Sequence, residues 1–560
     1  MRYQCLVFIV MLFCLLCNAL TAKQNPCLTN TSFEKYNSKD DLPGWRKALW
    51  GRDGLSPTIW SGVTRSDSPS GKRSAQVEIT GAPHFAALAQ EISTLTPGQW
   101  YEASVMLRTE NIQGHGVFLA VEYWKNNGSD GSAGCINSEC LIGNNLWTRA
   151  TVKFLAPGKD YKCILSLWNA GGPGKAWFDD VRVVKITAPS FDESKRRVLD
   201  GPFWGMFTCY AEYLHKYGDD MKTAGVYWQR QGMGALGDSQ KGLAERLGMA
   251  YQLCFDGMPA ATNKDDICYP VTESNECLKY VQGCLNAATK TARVWEVYNE
   301  PNTDLRWNLK GYTETIKLMG REVKSRRPDD AFATGGLAAY QAGYVSGMLK
   351  NGADKILDMV LLHPYGVDEA LDTLLYAVGD GCNKYNRSDM AVAINETGWP
   401  TYDPATGLES HSWFVSESEQ SSNLVKLYVQ GLAHRLSFVT WLGWNDLQVS
   451  DQARNMGLVR VDGTRKPAYN AFTFMTRTIG DRKIVKWSYA DNGARIYQLG
   501  NDKPVWLVWN ALSDSDVLVD VGSSKVFVCD IYGTKLTVLP ASGKISLKAV
   551  YEPRYLVPVN

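Results

Sequence analysis

Between residues 203 and 444, short apolar runs of strand character alternate with longer amphipathic runs of helical character. The strand candidates are "FWGMF" (203–207), "GVYWQR" (225–230), "MAYQLCF" (249–255), "VWEVYN" (294–299), "AFATGG" (331–336), "MVLLHPY" (359–365), "AVAINET" (391–397) and "FVTWLGW" (438–444). Between them lie stretches such as "YTETIKLMGREVKSR" and "SESEQSSNLVKLYVQGLAHRL", whose apolar residues recur at helical spacing. Eight such units over about 280 residues predict a (β/α)8 barrel, in which a functional site lies at the C-terminal ends of the strands. A doubly wound open sheet is the alternative, but no glycine-rich phosphate loop follows the first strand.

The rhythm differs on either side. From 25 to 187 the chain reads as short alternating runs between turn signals, among them "SAQVEI", "YEASVMLR", "GVFLAVEYW" and "AWFDDVRVVKI". This predicts an N-terminal β-sandwich. A polar stretch at 188–197, "APSFDESKRR" within it, reads as a linker that leaves the sandwich separable. The barrel then occupies 198–480, and 481–560 is strand-like again, predicting a small C-terminal β-sandwich.

Residues 1–22 carry Arg2, an apolar run of 13 residues from Cys5 to Cys17 and a small-residue end, Leu20-Thr21-Ala22. This pattern predicts a secretory signal peptide and a secreted or periplasmic protein. The bulky Leu16 before Cys17 argues against a lipoprotein anchor. Fourteen cysteines, three of them in this segment, leave eleven. An odd number leaves at least one thiol free or paired with another chain. Cys135 and Cys140 lie close enough in sequence to pair, and Cys268, Cys277 and Cys284 form another group. Cys209 and Cys254 read as buried thiols. With 59 Lys and Arg against 58 Asp and Glu, the chain has no broad field for nucleic acid or an anionic membrane.

Two carboxylates stand at the predicted barrel mouth. Strand four ends in Asn299-Glu300-Pro301 and strand seven in Asn395-Glu396-Thr397. Glycosidic cleavage needs such a pair, one acid to protonate the leaving oxygen and one carboxylate to attack carbon or activate water. Arg230 ends strand two, His363 and Tyr365 end strand six, Trp441 and Trp444 flank the end of strand eight, and Asp256 follows strand three.

Residues 196–480 resemble the retaining glycoside hydrolases of clan A. "WEVYNEPN" (295–302) resembles the acid/base segment of families 39 and 5, while "NETGWP" (395–400) is closer to the nucleophile segment of family 17. The resemblance implies Glu300 as acid/base, Glu396 as nucleophile, and Asn299 as ligand of the sugar 2-hydroxyl. It implies that Arg230 lies against the nucleophile and that Trp441 floors the sugar site. Tyr365 is expected to donate to Glu396, and His363 and Asp256 to bind sugar hydroxyls. "NTSFE" (30–34), "PGW" (43–45) and "AWFDDVRV" (176–183) resemble carbohydrate-binding modules of families 4, 9 and 22. That likeness makes Glu34 and Asp180 candidate ligands of a structural calcium.

The expectation is a secreted retaining hydrolase of β-glycosidic bonds in a polysaccharide or its oligosaccharides. Its chemistry calls for no metal or organic cofactor. A non-catalytic carbohydrate-binding barrel and a transglycosylase are the alternatives.

Overall fold

The computed structural model describes residues 28–559, apart from 37–40, 51–57, 65–66, 82–83, 127–131, 191, 209–210, 234–237, 257–273, 305–306, 367, 402–413, 448–454, 491, 524 and 541–542. The signal-peptide segment, Cys209 and Cys268 lie outside the described residues.

Nine strands make the N-terminal sandwich: β1 (Arg46–Trp50), β2 (Thr58–Thr64), β3 (Arg73–Ile79), β4 (Phe85–Ile92), β5 (Trp100–Lys125), β6 (Ser132–Asn137), β7 (Leu141–Leu155), β8 (Tyr161–Ala170) and β9 (Gly174–Lys185). The long β5 joins two layers. Its first half pairs with β7 and β9, and its second half with β8 and β6. The register slips between Thr109 and Val117, where Asn111 is left-handed, so the strand turns a corner there.

The barrel is closed and parallel. Its strands are β10 (Trp204–Phe207), β11 (Trp228–Gly232), β12 (Ala250–Cys254), β13 (Ala292–Glu296), β14 (Ala331–Ala333), β15 (Met359–Leu362), β16 (Ala391–Ile394) and β17 (Val439–Leu442), with β10 pairing β17. All eight expected strands are present, each shorter than its apolar run. Small inward residues, Ala331, Ala333, Ala391 and Ala393, are balanced by Trp228 and Phe438, whose rings meet at 4.6 Å. Helix ends follow local chemistry. Asn308 caps Leu309–Arg326 by accepting from Gly311 N at 2.6 Å. Ser416 and Glu419 form a reciprocal capping box at the start of Glu417–Ala433.

At the C-terminus, β18 (Ile484–Tyr489), β19 (Ala494–Leu499), β20 (Val505–Asn510), β25 (Arg554–Pro558), β22 (Lys525–Cys529) and β23 (Lys535–Pro540) form one sheet. A ribbon of β21 (Ser515–Asp520) and β24 (Lys544–Ala549) forms the other.

The N-terminal sandwich does not hang from a free tether. Its core and the barrel's outer layer are one continuous cluster of buried apolar residues. Backbone groups are satisfied across the boundary: Cys140 N donates to Gly343 O at 3.1 Å, Gly343 N to Asn137 Oδ1 at 2.9 Å, and Leu155 N to Thr373 Oγ1 at 3.1 Å. A Cβ at Gly343 would strike the Ser138 carbonyl, so the helix Gln341–Lys350 approaches this closely only through glycine. The described residues of 188–197 form no helix or strand, yet Glu193 and Arg196 form a buried ion pair that reaches His434. Cys135, within β6, and Cys140 are separate buried thiols and do not pair. Cys254, Cys277 and Cys284 are buried free thiols too. No described helix is long and apolar enough to cross a membrane.

Candidate active site

Strand parity aims the polar side chains. Trp228 and Val294 point into the barrel, so Arg230 and Glu296, two residues further on, point into it as well. Met359 and Leu361 do the same for His363. These residues sit at the C-terminal rim, where the chain leaves the sheet.

Arg230 organises the mouth. Its Nε and Nη2 donate to Glu296 Oε2 and Oε1 at 2.9 and 2.7 Å. Nη1 donates to Glu396 Oε2 at 2.5 Å, and Nη2 also to Asn299 Oδ1 at 2.7 Å. Burial alone would disfavour the guanidinium charge, but Glu296 and Glu396 hold it cationic. Tyr365 donates its hydroxyl to Glu396 Oε1 at 2.8 Å. Burial and the neighbouring Glu396 charge keep that phenol protonated, hence a donor. Burial works against ionisation of Glu396 itself. The charge of His363 when protonated, the Arg230 guanidinium and the hydrogen bonds from Tyr365 and Arg230 outweigh it, so this carboxyl lies below its ordinary range.

Glu300 faces Glu396 from the end of strand four. His363 Nδ1 lies 2.8 Å from Glu300 Oε1 and 3.8 Å from Glu396 Oε1. Carboxylate oxygens of Glu300 and Glu396 approach within 4.8 Å of each other. The Glu300 side chain is 30% exposed and that of Glu396 15%, so the former is the more open to solvent. The loop holding Glu300 is strained: Tyr298 and Glu300 both have positive φ, 67° and 50°, with Asn299 between them. Glu300 N donates to Gly336 O at 3.0 Å, and a Cβ at Gly336 would collide with His363 Nε2. Glycine at 336 therefore lets strands four, five and six converge beside the carboxylates.

Glu300, His363 and Glu396 could also offer one ligand atom each to a cation. Both Glu396 oxygens already accept from Arg230 and Tyr365, so a fixed guanidinium supplies positive charge at that point. Both residues expected to hold calcium in the N-terminal sandwich have protein partners. Asp180 accepts from Arg149 Nη2 at 2.6 Å and Arg182 Nε at 2.9 Å, while Glu34 Oε1 accepts from the backbone of Lys72 and Arg73.

Glu300, Glu396, Arg230, Asn299, His363 and Tyr365 are thus brought together as the sequence suggests, though His363 is turned toward Glu300. Trp441 and Asp256 are not. Phe438 and Thr440 face inward, so Trp441 faces outward; it is fully buried and donates Nε1 to Met456 O at 2.7 Å. Trp444 is likewise fully buried, against Tyr469. Asp256 is exposed beside Gly232, away from the cavity lining. The tryptophan of the barrel rim that lines the cavity is Trp399, within "NETGWP". Glu296 was also missed. Its signal was available: it sits four residues before Glu300, at the inward parity of a strand whose interior is otherwise apolar.

The carboxylates open into a cavity of about 930 Å³. One wall is the barrel rim, with Glu300, His363, Tyr365, Glu396 and Trp399. The other is the inner face of the N-terminal sandwich, including Glu122, Trp124 and Trp168.

No protein-family model matches the chain, and no curated protein matches its sequence. Solved structures do. A family 39 glycoside hydrolase from the gut symbiont Bacteroides cellulosilyticus WH2 aligns with TM-score 0.51 at 16% identity, covering 81% of this chain and 98% of that one. The likeness is one of fold. A glucosidase from Croceicoccus marinus aligns over 61% of this chain and 92% of its own, with TM-score 0.44 and 13% identity. The CBM22-1–GH10 modules of Clostridium thermocellum xylanase 10B align over 80% and 96%, with TM-score 0.35 and 13% identity.

Proposed function

We propose that the protein is a retaining glycoside hydrolase acting on β-glycosidic bonds. The observation that carries this reading is the pair of carboxylates from strands four and seven with oxygens within 4.8 Å of each other. Retaining pairs sit about 5–5.5 Å apart, whereas inverting pairs leave about 6.5–9.5 Å for a water. The environments also divide the labour. Glu396 is gripped by a guanidinium and a phenol that favour its anion, as an attacking nucleophile requires. Glu300 is more open and shares a proton site with His363, as a group that gives and takes a proton requires.

In the first half-reaction Glu396 attacks the anomeric carbon while Glu300 protonates the departing glycosidic oxygen. In the second, Glu300 removes a proton from water, which attacks the same carbon and releases Glu396. Asn299, which accepts from Arg230 Nη2, binds the hydroxyl next to the reacting carbon. These steps use side chains and water alone. The leader-like segment 1–22 supports export to the cell exterior or periplasm, where polysaccharide or oligosaccharide substrates are met.

The test is a panel of 4-nitrophenyl β-glycosides, followed by NMR of the first-formed sugar. Initial β-anomer supports double displacement. Initial α-anomer overturns retention, and no turnover across the panel counts against the hydrolase reading.

A further inference from the structure

The cavity has a second wall that the chemistry at Glu300 and Glu396 does not use. Register along the sandwich places Arg46, Ala89, Ser166 and Ala120 in one cross-strand row, and Ala48, Ala87, Trp168 and Phe118 in the next. Glu122 and Trp124 follow Ala120 at the same parity of β5, on the same face. Small residues thus leave a shallow floor, with indoles standing beside it.

The indoles are fixed. Glu122 is 6% exposed, and its Oε1 accepts from Trp168 Nε1 at 3.0 Å while Oε2 accepts from Trp124 Nε1 at 3.1 Å. One buried carboxylate therefore orients two rings. The wall is also braced against the barrel loops that carry the site. Trp168 packs on Tyr340 with ring centroids 5.5 Å apart. Tyr340 follows Ala338, which is bonded through both N and O to the side chain of Asn302, two residues from Glu300. At the other end, a Cβ on Gly366 would strike the Ala133 carbonyl of β6, next to Tyr365.

We infer that the N-terminal sandwich is a wall of the substrate site: Trp124, held by Glu122 beside the buried Trp168, stacks on a sugar unit adjoining the one that is cleaved. This inference rests on the glycosidase reading. An aromatic face, fixed hydrogen-bonding groups and a cavity near the upper end of the roughly 300–1,000 Å³ range of small-ligand pockets suit a short glycan held between two walls. The sandwich then sets specificity from within the site rather than gathering polymer from outside it.

The test uses the full chain and its Trp124→Ala and Trp124→Phe variants; Trp124 is the less buried of the two indoles and its loss leaves the sandwich core intact. For glucose, xylose, galactose and mannose, the 4-nitrophenyl β-glycoside is compared with the β-1,4-linked trisaccharide. With the sugar that the wild type cleaves, Trp124→Ala raises KM for the trisaccharide about tenfold more than for the nitrophenyl glycoside, and Trp124→Phe recovers most of it. Glu122→Gln, which leaves one acceptor oxygen for two indoles, shifts KM in the same direction. Equal changes on both substrates, or none, overturn the inference. A binding readout separates it from the hydrolase reading: trisaccharide quenching of tryptophan fluorescence in Glu396→Ala, compared with Glu396→Ala/Trp124→Ala. Binding that depends on Trp124 without any cleavage by the wild type refutes hydrolysis and keeps the wall. Binding that survives loss of Trp124 refutes the wall, and absence of both cleavage and binding refutes both.

Discussion

Arg230 holds the fully buried Glu296 through two nitrogens, at 2.7 and 2.9 Å, and so presents its remaining nitrogen to Glu396 at a fixed angle. A planar fork can do this; an ammonium cannot. Arg230→Lys keeps the charge but loses the fork, and kcat/KM falls about a hundredfold, the size of loss seen when an oriented donor is removed from a reacting centre. Steady-state kinetics on the best nitrophenyl glycoside checks this. Unchanged turnover would make the cluster a structural ion pair only.

Removing the nucleophile is more severe. Glu396→Ala loses turnover on the order of 10⁴-fold or more. Azide fits the space vacated by the carboxylate and attacks from that face, so the expected product is a glycosyl azide of inverted configuration, identified by NMR. Normal activity in this variant would take Glu396 out of the reaction.

The acid limb of the pH–rate profile reports Glu396. Its carboxyl is held below the ordinary range, so activity persists as pH falls until that depressed value is reached. Tyr365→Phe deletes one hydrogen bond that favours the anion. The acid limb then moves to higher pH, read from kcat/KM across pH 3–7, while an unmoved limb assigns it to another group.

A second titration bears on stability. Asp372, on the barrel helix Asp368–Lys384, is paired with Arg495 of the C-terminal sandwich and with His434, which also faces Glu193. Burial opposes the His434 charge, but Glu193 and Asp372 raise its pKa from 6.5 to about 9. A raised value means the stabilisation is complete below 6.5 and disappears as pH rises through about 9. Asp372 is pulled down to about 2 by Arg495 and His434 against its burial, so its share disappears only as pH falls toward that value. Calorimetry should show Tm falling between pH 7 and 10, and His434→Gln should flatten that slope while lowering Tm at neutral pH. Arg495→Met leaves Asp372 short of a partner and costs about 3–5 kcal/mol.

Deleting residues 28–187 exposes barrel surface that is buried in the whole chain and strips Gly343 N of its acceptor, Asn137 Oδ1. The remaining barrel is expected to aggregate or to melt well below the full chain, measured by Tm and gel filtration. A soluble, fully active barrel would show that the interface is dispensable.

The barrel was legible because its strands are apolar runs between amphipathic helices, and period survives in a sequence whatever its family. The catalytic pair was legible because both glutamates end such runs. Parity was not carried far enough: "FVTWLGW" read as one strand to 444 left Trp441 a candidate, whereas β17 stops at Leu442, Gly443 takes a φ of 92°, and Thr440 faces inward. Glu296 was hidden among apolar neighbours, because a buried carboxylate shows its purpose only once Arg230 is across from it. The linker at 188–197 was read from polarity alone, which cannot reveal that Glu193 and Arg196 are ion-paired under a helix end. The second cavity wall could not be seen at all. Residues 122–168 meet residues 338–366 only through docking, and no local pattern encodes that.

That long separation has a consequence for how the chain is made. A ribosome delivers the sandwich first, and N-terminal units fold as they emerge. Its small-residue face and the rings of Trp168, Phe118 and Phe85 then wait for Tyr340, which arrives about 170 residues after Trp168 and covers them. During that interval these rings, later sealed behind the pocket wall, are bare aromatic surface of the kind that chaperones cover.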